Sequence, residues 1–384
     1  MPDGTGRGAA VRGRSAVAVL VAVAAMMLAA AGCGDDESGG SSSASAGAAQ
    51  LDQAKQIVEK AETRPTQISQ TKPIDKPIPP GKKITYISCG VEACAVQGSI
   101  LSEGAAMLGW SVKTVNTDGS PEKVNNAFEA AIRDGTDAVI LAAADKDQIA
   151  KPLADAKEAG IEFVTCCSTA PPGSFLANTG TPEQGGRVGE MHAAKMVVDS
   201  GGKANVLIAD LTAFAILEEV GKVFKSTLEE LCPDCKHDTI DIPLTAIGKD
   251  VPDRIVSYLR SHPDVNYVFL VEGALAPGVK PALQAAGLGD KVKISEQGGN
   301  EVIHQELSQG DPWLAITPAA LYSYDYNMLD ALARKWAGVA VDEDPLPDIW
   351  LMTSDAVPAD GGAVIPLVED YKAQWAKIWG KQSS

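Results

Sequence analysis

The residues best able to do chemistry here are the seven cysteines. Cys232-Pro-Asp-Cys235 has the spacing of a redox dithiol or of half a zinc site. No second CxxC stands beside it and it follows a helical stretch rather than a thioredoxin-like strand, so the reading is a local structural disulfide. Cys89, Cys94, Cys166 and Cys167 all fall at strand ends in the first half of the fold. Adjacent cysteines rarely bridge each other because the eight-membered ring strains the peptide bond between them. The preferred pairing is therefore Cys89 or Cys94 with Cys166 or Cys167, pinning two loops together, and a thiolate cluster for a soft metal is the sharper alternative. The four histidines, His192, His237, His262 and His304, lie in or beside predicted helices, which argues against a multi-histidine metal centre and against general acid-base work. The sequence has no Gly-x-Ser-x-Gly elbow, Walker A loop, His-Glu-x-x-His or Gly-x-Gly-x-x-Gly after a strand, the spacings that acyl, phosphoryl, zinc or hydride chemistry commonly shows. No enzyme, no cofactor and no metal is expected.

The elements that must position these groups alternate along the chain. Strands are predicted at 83–89, 111–116, 137–141, 161–166 and 175–178, with helices at 97–108, 121–134 and 146–159 between them. A second set follows, with helices at 182–200, 214–231, 250–261, 275–286 and 300–308 and strands at 204–209, 237–242, 266–271 and 291–295. Strands alternating with helices of this length require right-handed crossovers and parallel sheets. Ligands of such sheets sit outside the carboxyl ends of the strands. The expected fold class is α/β, two doubly wound parallel-sheet, Rossmann-like lobes with a ligand cleft between them.

Composition sets outer limits. With 384 residues, 45% hydrophobic and 22% charged, the chain is long enough for two lobes and is neither disordered nor multi-spanning. Fifty acidic against 33 basic residues give −17, a field that repels phosphate backbones, so no nucleic acid is expected as partner. At the N-terminus, Arg7, Arg12 and Arg14 precede an apolar run over 16–31 that is short for a membrane span and has the layout of a secretory signal. Ala30-Ala31-Gly32-Cys33 resembles a bacterial lipobox, with Ala30 where such boxes usually carry Leu; it implies removal of 1–32 and lipidation of Cys33. The three Arg and one Asp lost with that segment would take the charge from −17 to −19. Six cysteines would then remain, an even set that suits disulfides in an exported protein. Residues 33–81 read as a flexible tether with a short helix near 50–62 and a Pro-rich spacer, so the compact fold is expected to begin near Lys82.

From about Lys82 to Gly380 the chain resembles a type I periplasmic solute-binding protein, the ribose-binding or LacI-like branch that serves ABC importers. The stretches that carry the likeness are GKKITYISCG, RDGTDAVILAAADKDQIAKPLADAKEAGIEFVT over 133–165, NTGTPEQGGR over 178–187 and SYDYNMLDALARKWAG over 323–338. The resemblance implies closure of two lobes on a solute, capture by a membrane permease and no covalent chemistry. It also implies three crossings between lobes, hence a three-stranded hinge near Gly180, Pro318 and Pro345–Pro347. Lobe one would be 82–180 plus 319–346, and lobe two 181–318 plus 347–384. The partners implied are a small-molecule ligand, an ABC permease and the membrane through a lipid anchor; the chain would work as an extracytoplasmic monomer on the bacterial cell membrane.

Strand ends then nominate the ligand-binding residues: Cys89, Glu92, Asn116, Asp118, Asp145, Cys167 and Ser168 in lobe one, and Asp210, Thr212, Phe214, Glu272, Gln297 and Tyr322 around lobe two. Sugar-binding members usually place an Asp-Arg pair after the fourth strand, an Arg in the second lobe and an Asp in a Gly-Phe-Asp-Gly motif. This chain has Cys167-Ser168, Asp210–Thr212 without Arg, and Ser295-Glu296-Gln297-Gly298 there; Gln297 matches the position of the ligand-binding Asp. A polyol needs many charge-assisted hydrogen bonds to replace its water. The ligand expected is sugar-like or a related polar or aromatic compound, less hydroxylated than a hexose or held through backbone groups. Two other readings stay open, a ligand sensor for a membrane signalling partner and an exported thiol- or metal-binding protein.

Overall fold

The computed structural model describes residues 40–144, 146–342, 345, 348–359, 362 and 364–381, with the side chains of 40–46 and of Glu92 outside that description. The stretch read as a signal segment, and Cys33, lie outside the described residues.

Two five-stranded, wholly parallel sheets organise the chain. The first contains β1 (Lys83–Ile87), β2 (Ser111–Val115), β3 (Ala138–Ala142), β4 (Glu162–Cys166) and β5 (Ala177–Thr179) in the order β2-β1-β3-β4-β5. The second contains β6 (Asn205–Asp210), β7 (Lys236–Asp241), β8 (Tyr267–Leu270), β9 (Lys293–Gly298) and β10 (Trp313–Pro318) in the order β10-β9-β8-β6-β7. Central strands such as β3 (AVILA) and β8 (YVFL) are buried along their whole length, as strands covered on both faces must be. The crossovers are α2 (Glu92–Leu108), α3 (Pro121–Arg133) and α4 (Ala150–Glu158) in the first lobe. In the second they are α6 (Ala215–Leu231), α7 (Val251–Ser261), α8 (Val279–Ala285) and α9 (Glu301–Ser308). Helix α5 (Pro182–Ser200) carries the chain from β5 into the second lobe, and α10 (Leu321–Ala337) returns it from β10 to the first.

A buried imidazole ties α5 to its sheet. His192 is fully buried, with Nδ1 2.6 Å from Ser295 Oγ and Nε2 2.8 Å from Thr317 Oγ1. Ser295 Oγ donates to the Ala315 carbonyl, so it accepts from Nδ1–H, and Thr317 donates to Nε2. That neutral tautomer is held by burial, which pushes the His192 pKa down to about 3.

The segment before β1 is not a free tether. In α1 (Gly40–Glu62), Ala54, Val58 and Ala61 are buried in the second lobe's core. The Pro-rich stretch then inserts Ile68, Ile74 and Ile78 into the first lobe's core. Its backbone is tied down by Ile74 N–H to the Ile378 carbonyl and by Trp110 Nε1 to the Pro79 carbonyl. Prolines leave few backbone donors to satisfy, so an extended strap can lie on a hydrophobic surface at little polar cost.

The C-terminal assignment also changes. Trp350, Leu351, Met352, Ile365 and Leu367 belong to the second lobe, but Val368 and α11 (Tyr371–Ile378) pack on the first. The cause is aromatic: Tyr326 of α10 lies parallel to Trp379 at 5.6 Å and edge-on to Tyr371 at 5.3 Å. Below them Asp330 receives Trp379 Nε1 at 3.0 Å and Arg334 Nε at 2.6 Å, and Arg334 reaches the Lys72 carbonyl. This nearly inaccessible pair joins the N-terminal strap, α10 and α11.

Asp330→Ala should therefore destabilise by about 3–5 kcal/mol, because Arg334 would keep its buried charge and lose its carboxylate; urea unfolding reads this, and a double Asp330→Leu/Arg334→Met replacement should recover most of the loss. A second expectation concerns pH. Below about 6.5 the unfolded imidazole takes a proton that the folded His192 refuses until about 3. Stability conferred by its neutral form is thus complete above pH 6.5 and is lost on acidification by about 1.4 kcal/mol per pH unit. His192→Gln should remove that slope from the stability–pH curve, the remaining dependence being that of the carboxyl groups.

Candidate functional site

Parallel strands deliver all their carboxyl ends to one side, and here the two sets face one cavity of about 920 Å³. The first lobe contributes the turns after β1 (Cys89, Gly90, Val91), β2 (Asp118, Gly119), β3 (Ala143, Ala144) and β4 (Cys167, Ser168, Thr169). The second contributes those after β6 (Thr212, Phe214), β8 (Glu272, Gly273) and β9 (Gly298, Gly299, Asn300). The first two turns meet backbone to backbone: a Cβ on Gly90, whose φ is +92°, would stand 2.5 Å from the Asp118 carbonyl carbon. Ala143 (φ 54°) and Cys167 (φ 63°) are the non-glycine residues with positive φ among those described, and both line this cavity. Backbone held in so unfavourable a region gathers at functional sites.

Most polar side chains here are already committed. Ser168 Oγ donates to the Ala144 carbonyl at 2.7 Å and accepts from the Ala170 amide. Thr212 donates to Asp241 at 2.7 Å, and Asn300 Oδ1 caps α9 by accepting from Ile303 N–H at 3.1 Å. Asp118 holds Lys123 and Ser120, both at 2.6 Å, which keep its carboxyl far below the usual range. Glu272 differs: burial raises its pKa to about 7, and only the Gly273 and Ala274 amides oppose the shift. The Cys167 thiol is pushed up by its neighbour Cys166 and by burial, so it stays protonated and a poor nucleophile.

Of the residues nominated from sequence, the structure brings Cys89, Asp118, Cys167, Ser168, Thr212, Phe214 and Glu272 to the cavity wall. It does not bring four others. Asn116 is exposed beyond the edge strand β2. The Asp210 carboxylate turns back to the Leu211 amide at 2.8 Å and rests against Gly221 of α6. Gln297 is still inside β9, which runs on to Gly298, so the residues that reach the cavity are 298–300. Tyr322 packs on Tyr371 at 4.6 Å, a contact made possible by α11 docking on the first lobe. Asp145 lies outside the described residues, as does the side chain of Glu92 at the start of α2.

The cysteine pairing is corrected as well. Cys89 bridges Cys94, not Cys166 or Cys167, because the Gly90 turn folds the first turn of α2 back over β1 and sets the two Cα atoms 5.7 Å apart. Cys232 bridges Cys235, and Cys166 and Cys167 are free thiols. Among the described residues no three His, Cys, Asp or Glu side chains converge as a metal site. Sequence reasoning missed the apolar walls, among them Val96, Ile216, Leu244, Leu321, Val364 and Ile365. Val96 sits one turn inside α2 and Ile216 is the second residue of α6, so both were within reach of a helix-start reading; Val364 and Ile365 come from the C-terminal crossing and leave no such signal.

This geometry has known counterparts. The family model of the periplasmic binding protein domain matches residues 98–338. Among solved structures, a 5-methylthioribose transporter solute-binding protein from Thermotoga lettingae, in complex with 5-methylthioribose, superposes with a TM-score of 0.66 at 20% identity over 76% of this chain and 92% of its own. An ABC sugar transporter subunit from Rhodobacter sphaeroides gives 0.63 at 21% identity, covering 72% of this chain and 99% of that one. A sugar ABC transporter protein from Yersinia enterocolitica gives 0.65 at 17% identity over 79% and 91%. Two parallel sheets, a cavity at their facing carboxyl ends and a domain match over most of the folded chain lead to one conclusion: this protein belongs to the periplasmic binding protein family.

Proposed function

We propose that this chain is the extracytoplasmic solute receptor of an ABC importer, held to the bacterial cell membrane by a lipid on Cys33 and working as a monomer that closes its two lobes on a small organic solute. The observation that carries this reading is the inter-lobe cavity, built mainly from strand-end turns. A chain that only needed to fold would not hold Ala143 and Cys167 at positive φ on its wall.

The hinge supports the same reading. The first lobe passes to the second at Gly180, whose φ is +81°, and the chain returns between Pro318 and Leu321. At that crossing Tyr324 Oη donates to Gln184 Oε1 at 2.9 Å, joining α10 to α5 beside Gly180. Short crossings pinned by a few hydrogen bonds let two cores rotate as bodies, which is how hinge closure works. The Cys167 thiol on the cleft wall, pushed up by its neighbour Cys166 and by burial, stays protonated, which suits a binding wall better than a nucleophile.

Thermal unfolding of the full chain, without reductant, against sugars, polyols, aromatic acids, nucleosides, amino acids and amines tests the proposal. A solute at 100 times its Kd stabilises by about 2.7 kcal/mol, a rise of a few degrees for a chain of this size. One chemical class should raise the Tm and also contract the protein in small-angle scattering. A shift with zinc or copper alone would overturn the receptor reading and make the cysteines the functional site.

A further inference from the structure

We propose that the cleft is built for a cationic solute, a small organic molecule with an ammonium group on an apolar body, whose charge pairs with the Glu272 carboxylate. The proposal rests on the receptor reading above and goes further, to the class of solute.

Charge is the first argument. Among the described residues that line the cavity there is no Lys, Arg or His, and the acids are Asp118 and Glu272. Asp118 is exposed and already paired with Lys123. Glu272 has no ion-pair partner among the described residues, and no cation contributes to its titration. An anionic ligand would therefore meet only acids, and burying its charge without a partner is costly. Glu296, next to the cavity on β9, supplies an independent observation: it is fully buried, and neither carboxylate oxygen has a hydrogen-bond partner. Glu272 is close enough for its charge to raise the Glu296 pKa further. Two carboxyl groups side by side with no countercharge make a recess whose charge is that of Glu272 once it ionises, which an ammonium group would neutralise.

The second argument is what the walls leave free. Ser168, Thr212 and Asn300 each spend a polar atom on the protein's own backbone or side chains. The same cavity is also lined by the apolar side chains of Val96, Phe214, Ile216, Leu244 and Leu321. A polyol would lose its water without finding enough partners, whereas an amine on an aliphatic or aromatic body needs one strong partner and a dry wall.

The groups that face Glu272 leave it in charge of the pH response. Cys167 on the first lobe and Tyr324 on α10 both have raised pKa values and stay neutral. Glu296 on β9 is raised well above the carboxylate range. His304 on α9, whose Nδ1 meets the Gly362 carbonyl at 3.0 Å, is kept neutral by burial. With its own pKa near 7, Glu272 is mostly protonated at pH 6.5 and must give up that proton to pair with an ammonium.

The test uses phenethylamine and benzyltrimethylammonium against phenethyl alcohol, ribose, galactose and sorbitol, by calorimetric titration of the full chain and of Glu272→Gln. The cations should bind, the neutral compounds should not, and the variant should weaken cation binding at least about tenfold. Titrations in buffers of different ionisation enthalpy should show release of about half a proton or more at pH 6.5 and almost none at pH 9. Sugar or polyol binding with silent cations would overturn the proposal and leave the receptor reading standing. Equal cation binding by both proteins without proton release would also overturn it. Silence from every compound here and in the wider panel would overturn both. If Glu272→Gln does not melt cooperatively, proton release by the unaltered chain decides alone.

Discussion

Parallel pairing is the constraint on which the rest of this molecule depends. Strands that run the same way need long crossovers, and those crossovers bring every carboxyl end to one end of the sheet. With two such sheets in one chain, joined by short crossings at Gly180 and at Pro318–Leu321, the two sets of turns have only each other to face. The cavity is a consequence of topology before any side chain is chosen. Side-chain identity then decides what it holds, which is why one fold serves many solutes.

That division explains where polar atoms are spent. His192, Ser295 and Thr317 use a buried neutral hydrogen-bond chain to fix α5 against β9 and β10. Tyr86, Gln97 and Asp325 do similar work in the first lobe, with Tyr86 Oη on the Cys94 carbonyl at 2.6 Å and Gln97 Nε2 on Asp325 at 2.9 Å. The first network is satisfied by neighbours that the core must hold anyway; in the second, Asp325 Oδ2 is buried without a partner and burial pushes its pKa up. Glu272 and Glu296 stand apart at the cleft, since burial raises both, only backbone amides oppose the shift and no cation contributes. Such uncompensated groups cost stability, and a protein keeps them where binding, not folding, recovers the cost.

The alternating elements were legible because central strands such as β3 and β8 are continuous apolar runs and the helices between them start or stop at proline and glycine. Strand-end logic placed Cys167, Ser168, Thr212, Phe214 and Glu272 on the cavity wall for the same reason. It misplaced Gln297 by one residue, because β9 extends through Gly298, and a shift of one residue turns a side chain to the other face. The Cys89–Cys94 bridge was hidden by a helix that begins at Glu92, earlier than its apolar periodicity suggests. Residues 63–81 looked like a spacer since their composition is proline and polar; three isoleucines spaced along them do the docking, a pattern too sparse for periodicity to show.

Those docked ends bear on how the lobes can move. Arg64 donates to the carbonyls of Pro366 and Leu367, and Leu351 N–H to the Ala61 carbonyl, so the N-terminal and C-terminal crossings are bonded to each other where both pass between lobes. Beyond that junction one end is fixed to the first lobe by Ile68, Ile74 and Ile78, and the other by Tyr371, Trp375 and Trp379. The closure proposed above, a rotation about Gly180 and Pro318, would therefore flex this outer pair of segments as well. A hinge with added outer strands favours one axis over twisting, because strands that are far apart resist any motion except bending about the line that joins them. Under the closure proposed above, the segment over 54–78 is part of what moves, packed on the second lobe's core by Ala54, Val58 and Ala61 and on the first lobe's by Ile68, Ile74 and Ile78.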